Sequence, residues 1–116
     1  MKKKTIKNKL DKVWSSIIRS KGKCEICGKK DYLNPHHIVG RRNLTLRWDL
    51  KNGCCLCAGC HNLKRESAHQ DPIWFVQWLM QNRPEDYNYL FEKREAITTF
   101  MDYEAKLNEL TALTTT

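Results

Sequence analysis

The sequence predicts a small α+β domain in which a β-hairpin is stapled by a metal ion and flanked by helices. Three observations carry this. Two Cys-x-x-Cys pairs, Cys24/Cys27 and Cys57/Cys60, are separated by 29 residues, enough chain for a hairpin. Two extended, partly apolar stretches occupy that interval. Apolar residues recur at helical spacing on both sides of it. With 116 residues and 41% hydrophobic content, the chain is one domain with a modest core, which a metal staple would help to hold.

The first element is a helix over residues 5–21. Ile6, Leu10, Val13, Trp14, Ile17 and Ile18 form its apolar stripe, Lys and Arg fill much of the rest, and Gly22 ends it. Cys24-Glu25-Ile26-Cys27-Gly28 reads as a tight metal knuckle, with Gly28 supplying the turn. Residues 32–39 are extended and kinked near Pro35. Residues 40–43 form a loop, and a second extended stretch runs from Leu50 to Leu56, interrupted at the turn signal Asn52-Gly53. Cys57-Ala58-Gly59-Cys60 opens a helix continuing to about Ser67. Asp71-Pro72 starts the next helix, with Pro at its first position. Arg83-Pro84-Glu85-Asp86 starts the last, which runs to about Leu113 with a break at Ile97–Phe100 and a frayed tail at Thr114–Thr116. The organisation expected is a basic N-terminal helix (1–22), a core (23–67) and C-terminal helices (70–113) within one domain.

Charge divides the chain. Residues 1–65 carry 17 Lys and Arg against 4 Asp and Glu, a net +13; residues 66–116 carry 4 against 9, a net −5. A polycationic half built around metal motifs points to a phosphate-backbone partner. No apolar run approaches membrane-spanning length, and no apolar signal core follows Met1-Lys2-Lys3-Lys4, so no membrane partner and a cytoplasmic location are expected. In a reducing compartment the paired cysteines favour metal over disulfides. Cys24, Cys27, Cys57 and Cys60 are therefore assigned to one structural Zn²⁺, and Cys54 and Cys55 to small buried positions. A knuckle, a hairpin and a helix whose first turn carries the second pair is the treble-clef arrangement.

His36-His37 and Asn52 then fall on the hairpin, and His61 directly follows Cys60. This string, His36-His37-Ile38-Val39-Gly40, then Asn52, then Leu56-Cys57-Ala58-Gly59-Cys60-His61-Asn62, resembles the HNH (His-Me finger) endonuclease family over about residues 24–65. Residues 37–42, 47–49 and 67–75 look further like phage HNH proteins related to the Rap/NinG recombination endonucleases.

The resemblance implies a ββα-metal core that hydrolyses DNA phosphodiester bonds. It implies His37 as general base, His36 and His61 as ligands of a catalytic divalent ion, and Asn52 as a residue that orients His37 or braces the hairpin. The ion would be Mg²⁺, Mn²⁺ or another divalent; His where the family often has Asp shifts preference toward softer metals. Arg41, Arg42, Lys64 and Arg65 are placed to grip phosphates of double-stranded or branched DNA. His61 has a helix-cap alternative and Asn52 a plain turn alternative. His69 reads as a structural link between helices rather than a third ligand, and Trp74 and Trp78 as core. The rival reading is a non-catalytic zinc-finger DNA-binding module, which leaves His36, His37, Asn52 and His61 without a shared purpose. The apolar, acidic C-terminal helices leave a homodimer surface open.

Overall fold

The computed structural model describes residues 2–114; Met1 and, of the expected frayed tail, Thr115 and Thr116 lie outside them. The domain is α+β, with a two-stranded antiparallel sheet and helices. In chain order these are α1 (Lys3–Arg19), β1 (Leu33–His37), β2 (Gly53–Cys57), α2 (Pro72–Asn82), α3 (Pro84–Lys93) and α4 (Tyr103–Ala112). No helix among the described residues is long and apolar enough to cross a membrane.

α1 forms because Ile6, Leu10, Trp14 and Ile18 repeat every four residues and bury one stripe. The stripe packs against the sheet and against α4, which returns across it with Leu110 in the same core. Gly22, at φ +77°, ends the turn that follows α1, its amide bonding the Arg19 carbonyl at 3.0 Å. The knuckle closes similarly: Gly28 sits at φ +79° and its amide meets the Cys24 carbonyl at 2.9 Å. Glu25 then docks the knuckle on β2. Its amide donates to the Cys55 carbonyl, and its carboxylate accepts from the Cys55 amide at 2.6 Å. Arg83, at the α2–α3 junction, ties in by donating to Glu25 and to the carbonyls of Gly53 and Lys51.

Register decides what each sheet face carries. Leu33 pairs with Cys57, His36 with Cys54 and His37 with Gly53. Because side chains alternate along a strand, one face packs Cys55 with Ile18 and Trp14 of α1. The other packs Cys54 and Leu56 with Cys24, Cys60 and Phe75. The loop between the strands is braced from inside by Asn52, which is fully buried. Its side-chain oxygen accepts from the Val39 amide, and its nitrogen donates to the carbonyls of Val39 and Leu46.

The region after β2 differs from the expected helix to Ser67. A five-residue π-helical turn, Gly59–Leu63, ends at Lys64, whose backbone is extended (φ −79°, ψ 157°). The chain then folds back on that turn, with the Ala68 amide on the Cys60 carbonyl and the His69 amide on the His61 carbonyl. The expected break in the last element is present, since α3 stops at Lys93 and α4 begins at Tyr103. Asp71 caps α2 by accepting from the Trp74 amide, as its Asp-Pro start implies.

Gly53 lets α1 lie close on the sheet beneath His37. A Cβ there would sit 2.1 Å from Ile18 Cδ1, 2.6 Å from Ile18 Cγ1 and 3.0 Å from Trp14 Cζ2, all in the core. Its φ of −106° suits any residue, so the constraint is purely steric. Gly53→Ala is expected to destabilise the fold by about 1–3 kcal/mol, as overpacking does. A urea midpoint equal to wild type would show that Ile18 has room to move.

Candidate metal centres and the histidine site

The four sulfurs of Cys24, Cys27, Cys57 and Cys60 lie within 4.8 Å of one another. The Cys27 and Cys57 Sγ atoms are 3.6 Å apart. That is far beyond a disulfide bond and close to the edge of about 3.8 Å expected for a thiolate tetrahedron with Zn–S near 2.3 Å. The set fits a structural metal such as zinc. Backbone donors support it, as in the Cys60 amide directed at Cys57 Sγ. Burial raises the Cys24 thiol, but the backbone N–H groups of Cys27, Cys57 and Ile26 outweigh this and bring it to about 7. Cys60 is raised by burial and by the neighbouring thiols, the crowding a cation relieves. Cys54 and Cys55 stand apart as fully buried free thiols, both raised chiefly by burial and thus inert.

A second group forms on the face that carries Cys54. His36, His61 and His69 bring one ring nitrogen each within 4.8 Å of one another, a spacing that could hold a metal ion. The Nε2 atoms of His61 and His69 are 3.0 Å apart, so one ring donates its proton to the other. His36 is buried, edge-on to both partners and to Phe75. Burial, then the charges of His61, His69 and His37, push it down to about 3, so it is neutral at physiological pH. His61 is lowered as well, by burial and by His69. A divalent ion needs unprotonated imidazole nitrogens, and one placed here would take the position of the proton shared between His61 and His69.

His69 is the member that sequence reasoning set aside as structural. Eight residues along a continuous helix would put it about 12 Å from His61. The chain instead breaks at Lys64 and doubles back. The signal available was Asp71-Pro72: a new helix starting there requires the preceding one to end and leaves residues 64–70 free to return.

His37 points to the opposite face. Its ring stacks on Trp14, with centroids 3.9 Å apart and planes 11° from parallel. Its Nε2 lies 2.9 Å from the Arg47 carbonyl oxygen. A carbonyl only accepts, so Nε2 carries the proton and Nδ1 keeps the lone pair. Burial lowers the pKa of His37, the hydrogen bond to Arg47 works against this, and Arg41 lowers it further. The Asn52 side chain spends its hydrogen bonds on Val39 and Leu46, bracing that loop rather than bonding the ring.

Arg47 is itself fixed by Asp11 of α1. That carboxylate accepts from Arg47 Nε and Nη2 (3.1 and 2.8 Å), from Arg41 Nη2 (2.9 Å) and from Trp48 Nε1 (2.9 Å). Burial pushes Asp11 up, but these bonds and the two guanidinium charges leave it below the usual carboxylate range. The sequence marks Trp14 only as part of the apolar stripe and gives Asp11 and Arg47 no part in the site, because the Trp14–His37 and Asp11–Arg47 contacts join residues 23 and 36 apart and leave no local pattern. Arg41, Arg42, Lys64 and Arg65 are all exposed. Lys64 also reaches back, with Nζ 4.0 Å from Cys60 Sγ.

Removing one thiolate is expected to unfold the domain, because a site closed by four ligands contributes folding energy outright. Cys57→Ser protein, or wild type stripped by a strong chelator, should lose its cooperative thermal transition, and wild type should contain one Zn²⁺ per chain. A well-folded, metal-free Cys57→Ser protein would defeat the assignment.

No protein-family model, curated protein or solved structure matches this chain.

Proposed function

We propose that this chain is a metal-dependent endonuclease of HNH type that hydrolyses DNA phosphodiester bonds. On this reading the knuckle, hairpin and π-helical turn make a zinc-stapled treble-clef core of ββα-metal kind. The observation that carries the proposal is the partition of the His36-His37 dyad. One imidazole joins two others with metal-ligand spacing; its neighbour is held by a carbonyl and an indole with one nitrogen left as a proton acceptor. A DNA-binding finger without catalysis has no use for that division of labour.

His36, His61 and His69 would hold a divalent ion, and three imidazoles without a carboxylate suit a softer one better than Mg²⁺. When bound, the ion supplies Lewis-acid stabilisation of the charge that builds on the phosphate and the departing oxygen. His37 takes a proton from the attacking water at Nδ1, while its Nε2–H stays on the Arg47 carbonyl and keeps the ring from turning. Trp14 shields one face of the ring. Asn52 keeps the loop that carries Arg47 in place. Arg41, Arg42, Lys64 and Arg65 grip flanking phosphates. One such site cuts one strand, so cleavage of both strands calls for two copies, and a homodimer through the C-terminal helices belongs to this reading. So does action in the cytoplasm, on duplex or branched DNA, of the kind phage recombination requires.

The base and the ligands should fail differently in a plasmid-nicking assay with added Mg²⁺ or Mn²⁺. His37→Ala is expected to keep the fold, the zinc and DNA binding and to lose about 10²–10⁴-fold in cleavage rate. His61→Ala and His69→Ala should also lose activity, but raised Mn²⁺ should restore part of it, and should not restore His37→Ala. Interchanged behaviour of His36→Ala and His37→Ala would reverse their roles. Undiminished metal-dependent cleavage by His37→Ala, with contaminating nuclease excluded, would leave the non-catalytic zinc-finger DNA-binding module as the better reading.

A further inference from the structure

α1 carries a concavity on its polar side that the proposed site does not use. Lys3, Lys4, Lys7, Asn8 and Arg47 line it, four cations and an amide with no carboxylate. The nearest acid on the helix, Asp11, is already engaged by Arg47, Arg41 and Trp48. Among the described residues Lys3, Lys4 and Lys7 make no ion pair. Lys3 and Lys7 instead lie near the Tyr103 ring, 5.9 and 5.6 Å from its centroid, and Lys3 also borders a second hollow with Asp102 and Glu104. Three lysines gathered without an ion pair repel one another and Arg47 beside them, and a regularly spaced polyanion relieves that repulsion.

We propose that this face of α1 seats the sugar-phosphate backbone of DNA flanking the cleaved bond, so that the N-terminal helix is a second arm of the substrate interface. The inference rests on the nuclease reading and extends it. Arg47 makes the surface continuous with the site, since it lines the concavity and its carbonyl holds His37. A lipid surface fits less well. An interfacial helix must insert an apolar face, and the only apolar stripe of α1, Ile6, Leu10, Trp14 and Ile18, is at most 3% exposed because it forms the core. From Lys3 to Asn8 the helix advances about 7.5 Å, which matches about two strand steps of roughly 3.4 Å, or three successive phosphates.

The test is the salt dependence of binding to a labelled DNA duplex, measured with the full zinc-loaded chain and without Mg²⁺ or Mn²⁺ so that nothing is cut. The K3Q/K4Q/K7Q variant is compared with K23Q/K29Q/K30Q, which removes the same charge from the knuckle region. Gln has nearly the helix propensity of Lys, and K3R/K4R/K7R checks that charge rather than shape is read. Each phosphate contact contributes about 0.9 to the slope of log affinity against log salt. The α1 variant is therefore expected to lose about two to three from that slope, and the knuckle and arginine variants to keep it. Equal losses in the two glutamine variants would mean net charge alone matters and would overturn the proposal, as would an unchanged slope in K3Q/K4Q/K7Q. So would a K3Q/K4Q/K7Q defect seen with phosphatidylserine vesicles but not with DNA. A wild-type protein that fails to bind DNA at all would take the nuclease reading down too, whereas wild type that binds and cuts, with an unaltered α1 variant, would remove only this inference.

Discussion

Two strands of five residues bury too little to hold their own register, and in this domain the register is what makes a site. The four sulfurs address this from one end. Cys57 is both the last residue of β2, paired with Leu33, and a member of the cluster that reaches Cys24 and Cys27 across the knuckle. Glu25 adds a second tie by pairing with Cys55 through its amide and its carboxylate. At the other end Gly53 lets Ile18 and Trp14 press directly on the sheet. A slip of one residue would exchange the faces of His36 and His37. His36 would then meet Trp14, His37 would meet the imidazole pair, and neither arrangement could form.

The same economy governs charge. The first 65 residues contain only four acids, Asp11, Glu25, Asp31 and Asp49. Three of them are engaged internally. Asp11 gathers Arg41, Arg47 and Trp48; Glu25 gathers Lys21, Arg83 and the Cys55 amide; Asp49 caps the turn at Lys51 and accepts from Tyr89. The acids thereby position arginines and backbone while little negative charge reaches the surface. The excess positive charge of this half is left to solvent or to a partner, and the helix that contributes much of it also supplies Trp14 and Asp11 to the setting of His37.

What the sequence discloses follows from how local the determinants are. Helix α1, the knuckle with its Gly28 turn, the Asp71-Pro72 start of α2 and the break before α4 each depend on residues within a few positions, and each is legible. The Cys set is legible too, because metal chemistry dictates its spacing. The π-helical turn is not, since nothing in Gly59–Leu63 distinguishes a widened turn from an ordinary one before the return of Ala68 and His69 onto Cys60 and His61 is known. His69 and the Asp11–Arg47 bracket depend on that kind of closure. They join residues 8 and 36 positions apart, and no periodicity records such a pairing.

The composition of the imidazole group bears on how a nuclease of this kind would work. It contains no carboxylate, so a divalent ion held there would keep its full charge. Desolvation keeps His36 neutral and able to donate, yet supplies no compensating charge. The compensation is then left to the phosphodiester. An ion that gains its counter-charge from the substrate binds more tightly when DNA is present, and by reciprocity DNA binds more tightly when the ion is present. A carboxylate in place of one histidine would strengthen ion binding without DNA and weaken that mutual dependence. On the nuclease reading, three ligands that bring no negative charge therefore link assembly of the reactive site to arrival of the strand it cuts.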